Sequence, residues 1–269
     1  MSQETNQTGF AKERRIVRFD GAATSEIPKP TATEYPLTIF MNETQLVTLL
    51  CSPVAMQDLA VGFLSSEGFL NSRDEIKSVT EDAVRGVVRV QTVDGREISQ
   101  QTLSKRIISS GCGRGAAFYA ATDASEKVVS SQVSIAAEDL LEIAHDFQKA
   151  SVVYRETHAV HSAALYKGAE VVAQAEDVGR HNAVDKIFGR CLLDGLSTDD
   201  CMLVTSGRVS SEIAHKAARK GIPLLVSISA PTVLAVDVAA KMGITLVASV
   251  RGGKMDIYTH PQRITRKAE

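Results

Sequence analysis

The sequence contains no tryptophan, its aromatic content is only 5%, and it has no excess of either charge. Thirty basic and thirty-two acidic residues leave a formal net charge of -2, so no general field attracts nucleic acid or an anionic membrane. No apolar run approaches the ~20 residues of a membrane span, and the polar N-terminus does not resemble a signal peptide. We expect a cytoplasmic globular protein that binds neither nucleic acid nor membrane, with residues 1–20 as a flexible N-terminus.

Cysteine is also scarce. The four cysteines are too few and too scattered for a disulfide framework, and none forms the C-x-x-C pair of a zinc knuckle or a thioredoxin-type centre. Cys51, Cys191 and Cys201 adjoin apolar or helical runs, which favours inert packing in a core.

Cys112 lies in a different context, "ISSGCGRGAAF", among three glycines and close to Arg106 and Arg114. Glycine gives the loop freedom to move, and nearby cations favour the thiolate that attacks sulfur. Cys112 is therefore the candidate reactive thiol. The alternative is an unremarkable loop cysteine.

The first half of the chain reads as mixed β structure with one helix. "RIVRF", "LTIFM", "LVTLLC", "VVRVQTV" and "KRIIS" have the composition of strands. Ser52 and Pro53 predict the capped start of a helix, with Leu59 and Phe63 on one face and Gly68 at its end. We predict a mixed β/α domain over residues 21–130 that ends in a mobile Cys112 loop, followed by a linker within residues 121–134.

From residue 151 onward, short apolar strands alternate with helices. This alternation predicts an α/β fold, a layered sandwich with a largely parallel sheet, in a second domain over residues 131–269. Such sheets usually bind ligands at the carboxyl ends of their strands.

Two strand-to-helix loops in this domain carry groups suited to an anion. The first holds Ser206, Gly207 and Arg208, where hydroxyls, a flexible glycine and a guanidinium favour phosphate. The second repeats the arrangement with Ser229. The alternative for both loops is simple helix capping, by Ser210, Ser211 or Thr232, with Arg208 as a solvated charge.

The densest polar segment is "EDVGRHNAVDKIFG". Glu176, Asp177, Gly179, Arg180, His181, Asn182, Asp185 and Lys186 crowd one helix start. This exceeds what a cap requires, so we favour a functional site over a satisfied polar turn.

The segment "ASVRGGKMDIYTH" predicts two strands joined by a basic turn. Arg251 and Lys254 could bracket a phosphate or a guanine, while Gly252 and Gly253 let the backbone approach it. A plain β-hairpin is the alternative.

A metal site is not expected. His158 and His161 are three residues apart, but the H-x-E and P-C-x-x-C segments of a zinc deaminase are absent. We expect no zinc, and His161 either bonds to the backbone or faces the ligand.

Taken together, these segments resemble the FdhD/NarQ family of formate dehydrogenase accessory sulfurtransferases. The resemblance runs from about residue 36 to residue 263 and rests on several motifs: "DLAVGFLSSEGFL", "SSGCG", "VHSAALY", "EDVGRHNAVDKIFG", "TSGRVSSEIAHKAARKGIPLLVSISAPTVLAV" and "IYTHPQR".

The resemblance implies a homodimeric carrier that takes persulfide sulfur from a cysteine desulfurase. The sulfur passes to the molybdenum of a bis-molybdopterin guanine dinucleotide cofactor (bis-MGD) destined for formate dehydrogenase. Cys112 matches the persulfide-carrying cysteine, and the larger domain is similar to the cytidine deaminase fold without its zinc residues. The implied cofactor-binding segment is Ser249, Val250, Arg251, Gly252, Gly253 and Lys254.

One position departs from the family pattern. Many members carry C-x-x-C in the mobile loop, but residues 112–115 here read "CGRG", with Gly115 in place of the second cysteine. The mechanism that remains is a relay through one thiol. Two rivals are a chaperone that delivers bis-MGD without sulfur transfer and, by fold analogy alone, a nucleoside deaminase-like hydrolase.

Overall fold

The computed structural model describes residues 9–96, 98, 107–108, 116–117 and 128–267, with backbone pairing alone for residues 107–108 and 116–117. Its strands are β1 (Ala11–Phe19), β2 (Thr24–Ala32), β3 (Tyr35–Met41), β4 (Thr44–Cys51), β5 (Ile76–Asp82), β6 (Val87–Thr92), β7 (Ile107–Ile108), β8 (Ala116–Ala117), β9 (Ile135–Ala136), β10 (His161–Lys167), β11 (Glu170–Asp177), β12 (Met202–Thr205), β13 (Leu224–Ser227), β14 (Thr245–Arg251), β15 (Lys254–Ile257) and β16 (Ile264–Thr265). Its helices are α1 (Met56–Ser66), α2 (Ala137–Ala150), α3 (Val152–Thr157), α4 (Arg180–Asp194), α5 (Ser211–Arg219) and α6 (Val233–Lys241).

A four-stranded sheet in the order β4-β3-β6-β5 packs with α1 around the first hydrophobic core. Alternate residues of β3 are buried, namely Leu37, Ile39 and Met41, because one face of the strand lies on the core. On α1, Leu59 and Phe63 contribute to the same core, which confirms the predicted helical face. Gly68 follows the helix with φ of +82°, a conformation that suits glycine after a helix end.

The start of α1 differs from the sequence prediction. The helix begins at Met56, after Ala55, and Ser52 is not its cap. The Ser52 N–H instead donates to Asp177 Oδ2 at 3.0 Å, and its hydroxyl accepts from the Val178 N–H at 3.2 Å. The capping prediction is wrong because a distant segment uses the hydroxyl that a cap would need.

The second half of the chain forms a six-stranded sheet in the order β11-β10-β12-β13-β14-β15. β12 is parallel to β13 and β13 to β14, but the other three neighbouring pairs are antiparallel. The sheet is therefore mixed, and the prediction of a largely parallel sheet is wrong. Tight turns join β10 to β11 and β14 to β15, and only antiparallel strands can be joined so closely.

Helices cover both faces of this sheet. Helix α2 packs on one face, over Ala164, Val204 and Val226, and helices α4, α5 and α6 pack on the other, over Leu165, Leu203 and Leu225. Neighbouring residues of a strand belong to different cores because their side chains point to opposite faces. The predicted α/β class and the three layers are confirmed. The similarity to cytidine deaminase stays a prediction.

The two halves meet where α1 crosses α4. A Cβ added at Gly62 would lie 1.7 Å from the Asp185 carbonyl oxygen, and one added at Gly189 would lie 1.8 Å from the Asp58 carbonyl oxygen. The helix backbones are therefore in direct contact, which only glycine permits at these two positions.

Four buried charges lie at the same junction and form what we call the junction cluster: Asp177, Asp185, Lys186 and Lys216. Lys186 Nζ lies 2.7 Å from Asp177 Oδ2 and also donates to the Ser52 carbonyl oxygen at 3.2 Å. Lys216 Nζ lies 2.6 Å from Asp185 Oδ2. Because each buried charge has an opposite partner, the cost of its desolvation is offset.

Two longer strands, β2 and β5, and the two-residue strands β8, β9 and β16 were not predicted, and one prediction is only partly described. β2 and β5 carry no strong strand pattern in the sequence. Of the predicted strand "KRIIS", the described residues Ile107–Ile108 pair antiparallel with Ala116–Ala117. β1 and β2 form a separate two-stranded sheet.

Val129, near the start of the last described range, belongs to the hydrophobic core on the six-stranded sheet, where it is buried among residues of α4, α5 and α6. Its N–H donates to the Met242 carbonyl oxygen at 2.9 Å. The domain limits 1–20, 21–130 and 131–269 stay a prediction. None of the helices in the described ranges is long and apolar enough to cross a bilayer.

Candidate functional site

The loops singled out in the sequence meet at one edge of the six-stranded sheet, here called the carboxyl edge. β12, β13 and β14 are parallel, so their carboxyl ends share this edge. β10 runs antiparallel to β12, so it begins there, and β11 ends there because His161 pairs with Asp177. The topology thus gathers segments that are far apart in the chain.

The loop after β12 is held by reciprocal hydrogen bonds. Ser206 Oγ accepts from the Ser162 N–H at 2.9 Å, and the Ser206 N–H donates to the Ser162 carbonyl oxygen at 3.0 Å. A Cβ at Gly207 would lie 2.8 Å from Arg180 Cβ, so glycine leaves the room that Arg180 occupies. The next residue, Arg208, is exposed.

A chain of hydrogen bonds continues to the loops after β13 and β14. Ser227 Oγ donates to the Gly207 carbonyl oxygen at 2.7 Å and accepts from the Ser229 N–H at 3.0 Å. The Ser249 N–H then donates to the Ser229 carbonyl oxygen at 2.9 Å. Ser229 and Ser249 are half-buried, so three loops form one connected surface.

The capping alternatives have different outcomes. Thr232 does cap α6, since its hydroxyl accepts from the Ala235 N–H at 3.2 Å. Ser210 occupies the cap position of α5, but its side chain makes no capping hydrogen bond. Its hydroxyl lies 3.0 Å from His181 Nε2 instead.

The basic turn after β14 closes a β-hairpin, which agrees with the two predicted strands and leaves the anion-binding role of the turn a prediction. Arg251 pairs with Lys254 across Gly252 and Gly253, whose φ angles are 60° and 72°. Val250 is buried, whereas the four residues from Arg251 to Lys254 are exposed. The hairpin presents two cations and a turn without side chains at the carboxyl edge.

Positive charge surrounds His161 at this edge. Burial lowers the pKa of His161, and the guanidinium groups of Arg180 and Arg208 lower it further, while Asp177 opposes them. Arg180 itself is 8% exposed. The half-buried ring is therefore neutral at neutral pH, with two guanidinium groups close to it.

His181 lies beside this group. Its Nε2 is 3.0 Å from Ser210 Oγ and 3.2 Å from Glu212 Oε2. The carboxylate favours a protonated ring, but burial, followed by Lys216 and Arg180, outweighs it and lowers the pKa of His181 to about 3. A neutral His181 can donate one hydrogen bond and accept another.

Most of the remaining polar residues of the "EDVGRHNAVDKIFG" segment turn to the junction of the two halves, but the Glu176 carboxylate accepts hydrogen bonds from the hydroxyls of Ser151 and Ser162. Asn182 Nδ2 donates to the Leu50 carbonyl oxygen at 2.9 Å and to Asp177 Oδ1 at 2.8 Å. Asp185 and Lys186 belong to the junction cluster. The structure thus brings Arg180 and His181 close to the other predicted site residues. Asn182 is different, because both hydrogens of its side-chain amide bond to residues at the junction.

Two pairings at this edge have no signal in the sequence: Glu212 with His181, and Ser162 with Ser206. Glu212 reads as an ordinary acidic residue in the first turn of a helix, where it complements the helix dipole. Ser162 reads as an ordinary strand residue. Only the sheet topology reveals these two pairings.

Cys112 lies outside the described residues. The short strands β7 and β8 on either side of it pair antiparallel. The other three cysteines are buried, as expected. Burial raises the pKa of Cys51 to about 12 and that of Cys191 to about 11, and it also raises the pKa of Cys201.

A cavity of about 1020 Å³ lies at the opposite edge of the sheet, beside the residues that precede β12 and β13. Its wall includes Val128, the first residue of the described range 128–267. It contains none of the predicted site residues. In the described part of the chain, no three His, Cys, Asp or Glu side chains are grouped as metal ligands.

Comparison with known proteins places this architecture among sulfur carrier proteins. The sulfur carrier protein FdhD of Bacillus subtilis is 40% identical over 252 residues, which cover 93% of this chain and 96% of the relative. That of Listeria innocua is 39% identical over 259 residues, which cover 95% and 99%.

A solved structure from Desulfotalea psychrophila, described as a formate dehydrogenase accessory protein, has the same fold. The TM-score is 0.77 at 24% sequence identity, and the match covers 95% of this chain and 99% of that one. Residues 32–265 match the FdhD/NarQ family. With a family match over most of its length and relatives at about 40% identity, this chain belongs to the FdhD/NarQ family.

Proposed function

We propose that this protein is a sulfur carrier that serves a formate dehydrogenase. It takes persulfide sulfur from a cysteine desulfurase onto Cys112 and passes it to the molybdenum of bis-MGD, a substrate held at the carboxyl edge. Relatives named sulfur carriers match along nearly the whole chain, which supports the carrier role.

One observation carries the choice of the carboxyl edge: five segments that are distant in sequence converge there and bring four cations, two of them on the exposed hairpin. Arg180 and Arg208 lie close to His161, and the exposed pair Arg251 and Lys254 follows β14. The guanine dinucleotide parts of the substrate carry phosphates, which guanidinium and ammonium groups bind through charge-assisted hydrogen bonds.

The site also has the open backbone that a large nucleotide needs. Gly252 and Gly253 have no atoms within 4 Å of an added Cβ, so a phosphate or a base can approach the turn. Helices α5 and α6 begin at the same edge, and their first N–H groups favour an anion. The half-buried hydroxyls of Ser206, Ser229 and Ser249 add further donors.

Loading sulfur onto the protein needs only one thiol. The Cys112 thiolate attacks the outer sulfur of the donor persulfide, the donor S–S bond breaks, and the donor cysteine leaves as a thiolate. Cys112 then carries the persulfide to the bound substrate. Gly115 removes the resolving cysteine that would otherwise release the sulfur by forming a disulfide.

Mass spectrometry tests the sulfur step. After incubation with a cysteine desulfurase and cysteine, we expect a gain of about 32 mass units per added sulfur on the Cys112 peptide. The Cys112→Ala variant is the control and should gain nothing. A gain on Cys51, Cys191 or Cys201, or none at all with an active desulfurase, would contradict the proposal.

Calorimetry with guanosine diphosphate tests the binding edge. The double variant Arg251→Ala/Lys254→Ala should bind this fragment of the substrate about tenfold more weakly or worse, because it loses charge-assisted hydrogen bonds to phosphate. Lys167→Ala is the matched control, since Lys167 is an exposed cation in the other tight hairpin, at the opposite edge of the sheet. Equal affinity in both variants would move the binding site elsewhere.

The second candidate is a chaperone that binds bis-MGD and delivers it without sulfur transfer. The glycine at position 115, in place of a second cysteine, favours it. Restoration of formate dehydrogenase activity by Cys112→Ala in a deletion strain would establish the chaperone and reject the carrier. Loss of that activity, with guanosine diphosphate binding retained, would support the carrier.

A further inference from the structure

The ribbon formed by β1 and β2 stands apart from the two cores. The two strands pair only with each other, and helix α3 contacts β2. Among the described elements, only β2 makes an extensive contact with β1. A two-stranded ribbon is at best marginally stable alone in water. A third strand, added at a free edge, would therefore stabilise it.

The register divides the ribbon into two unlike faces. Arg14 lies opposite Lys29, and Ile16 lies opposite Ile27. Because alternate residues share a face, one face carries four cations and no acidic residue: Lys12, Arg14, Arg18 and Lys29. We call this the cationic face. Arg15 lies on the other face.

Among the residues that the structure describes, the cations of this face have no acidic partners. Lys12, Arg14 and Arg18 are exposed. Within the described ranges, no ion pair involves any residue of the cationic face. An unpaired row of like charges on one strand attracts an acidic segment.

Two prolines determine which edge of the ribbon is open. Pro28 lies opposite Arg15, and Pro30 lies opposite Glu13. Proline has no N–H, and pairs that exchange hydrogen bonds alternate with pairs that do not. The proline pairs are therefore the non-bonded ones. Glu13 and Arg15 point their N–H and C=O groups away from β2, while the prolines block the outer edge of β2.

We propose that the open edge of β1 binds an extended acidic segment of a partner protein as a third strand. The segment supplies main-chain hydrogen bonds to Glu13 and Arg15, in the manner of strand addition. Its alternate carboxylates lie beside Lys12, Arg14 and Arg18, and an apolar residue lies beside Ile16.

Other occupants fit less well. A second copy of β1 would place these cations against an identical row, and like charges directly opposite each other are destabilising. Nucleic acid makes no use of a strand edge, and the cationic face has no aromatic side chain on which a base could stack. The proposal is independent of the sulfur-transfer proposal.

Fluorescence anisotropy with the full-length protein tests it, using a fluorescein-labelled peptide of four Thr-Glu repeats at about 0.15 M salt, where distant charges are screened. The peptide should bind. A Thr-Gln peptide, which lacks the charge, and a Pro-Glu peptide, which lacks alternate N–H groups, should not. Arg14→Glu/Arg18→Glu should weaken binding by about tenfold or more, because like charges then face each other.

Arg15→Glu is the matched control, because Arg15 lies on the same strand but on the opposite face, and its affinity should stay within about threefold of the wild type. Circular dichroism checks that each variant is folded. No binding of the Thr-Glu peptide, equal binding of the Pro-Glu peptide, or equal loss in Arg15→Glu would overturn the proposal. So would displacement of the peptide by a single-stranded oligonucleotide that binds more tightly, or self-association abolished by Arg14→Glu/Arg18→Glu.

Discussion

His181 is a histidine with a side chain 18% exposed, held neutral by its surroundings. Burial, Lys216 and Arg180 lower its pKa to about 3, whereas an unfolded chain leaves histidine near ~6.5. Between these two values the unfolded state binds the proton more readily than the folded state. Stability linked to His181 is therefore fully present above pH ~6.5 and is lost as the pH falls towards the folded pKa.

We predict that lowering the pH from about 7 to about 5 reduces the unfolding free energy of the wild type by about 2 kcal/mol more than it reduces that of His181→Gln. The measurement is urea unfolding of both proteins at several pH values. His145→Gln is the control, since His145 is exposed, and it should follow the wild type. If His181→Gln also follows the wild type, the ring is not held neutral by the fold.

At the residue scale, sequence patterns predicted which loops meet at one edge of the sheet better than they predicted the contacts of each side chain. Strand ends predicted where Ser206, Arg208 and Ser229 would gather, because strand order places loops at one edge. They could not predict that Asn182 would bond to Leu50. That contact depends on how a second core docks against α4, which no local pattern encodes.

At the scale of elements, the crossing of α1 and α4 depends on two glycines. We predict that Gly62→Ala or Gly189→Ala lowers the unfolding free energy by more than about 3 kcal/mol, because each new Cβ would overlap a backbone carbonyl that cannot move aside cheaply. This loss outweighs the gain of about 1 kcal/mol that alanine brings to a helix. Denaturant unfolding measures the difference.

Gln57→Ala is the control for this prediction, because Gln57 is an exposed residue of the same helix. It should change the unfolding free energy by no more than about 0.5 kcal/mol. An equally mild effect at Gly62 would mean that the helices can separate without loss.

Periodicity and turn residues predicted most helices and strands of the second half, and they failed where tertiary contacts decide. β2 was missed because Pro28 and Pro30 argue against a strand, although an unpaired edge tolerates them. Ser52 reads as a cap, yet it bonds to a distant aspartate. The alternation of helices and strands predicted a largely parallel sheet. Two tight turns, which join β10 to β11 and β14 to β15, make it mixed instead.

For the molecule as a whole, the junction cluster joins two hydrophobic cores. We predict that Asp177→Asn lowers the unfolding free energy by about 3–5 kcal/mol, because the ammonium group of Lys186 stays buried without its partner. Calorimetry should show one transition, shifted to lower temperature, since the same residues tie both cores together. Two separate transitions would show that the cores unfold independently.

Asp194→Asn is the comparison for this effect. Asp194 pairs with Arg190 at 2.6 Å, but both side chains are partly or largely exposed. Exposed pairs contribute little, so a loss below about 1 kcal/mol is expected. The difference between the two losses of unfolding free energy shows how much of the effect of Asp177→Asn comes from burial of the ion pair.

The burial of Cys51, Cys191 and Cys201 has a practical consequence for labelling the protein. An alkylating reagent reacts with a thiolate that it can reach. In the folded chain these three side chains are buried, and burial raises the pKa of each thiol, so little thiolate forms. They should react at the rate of global opening, so they become slow reporters of unfolding. A maleimide dye added to native protein should therefore leave these three cysteines unlabelled until the protein unfolds, so their labelling rate can be measured without replacing any of them.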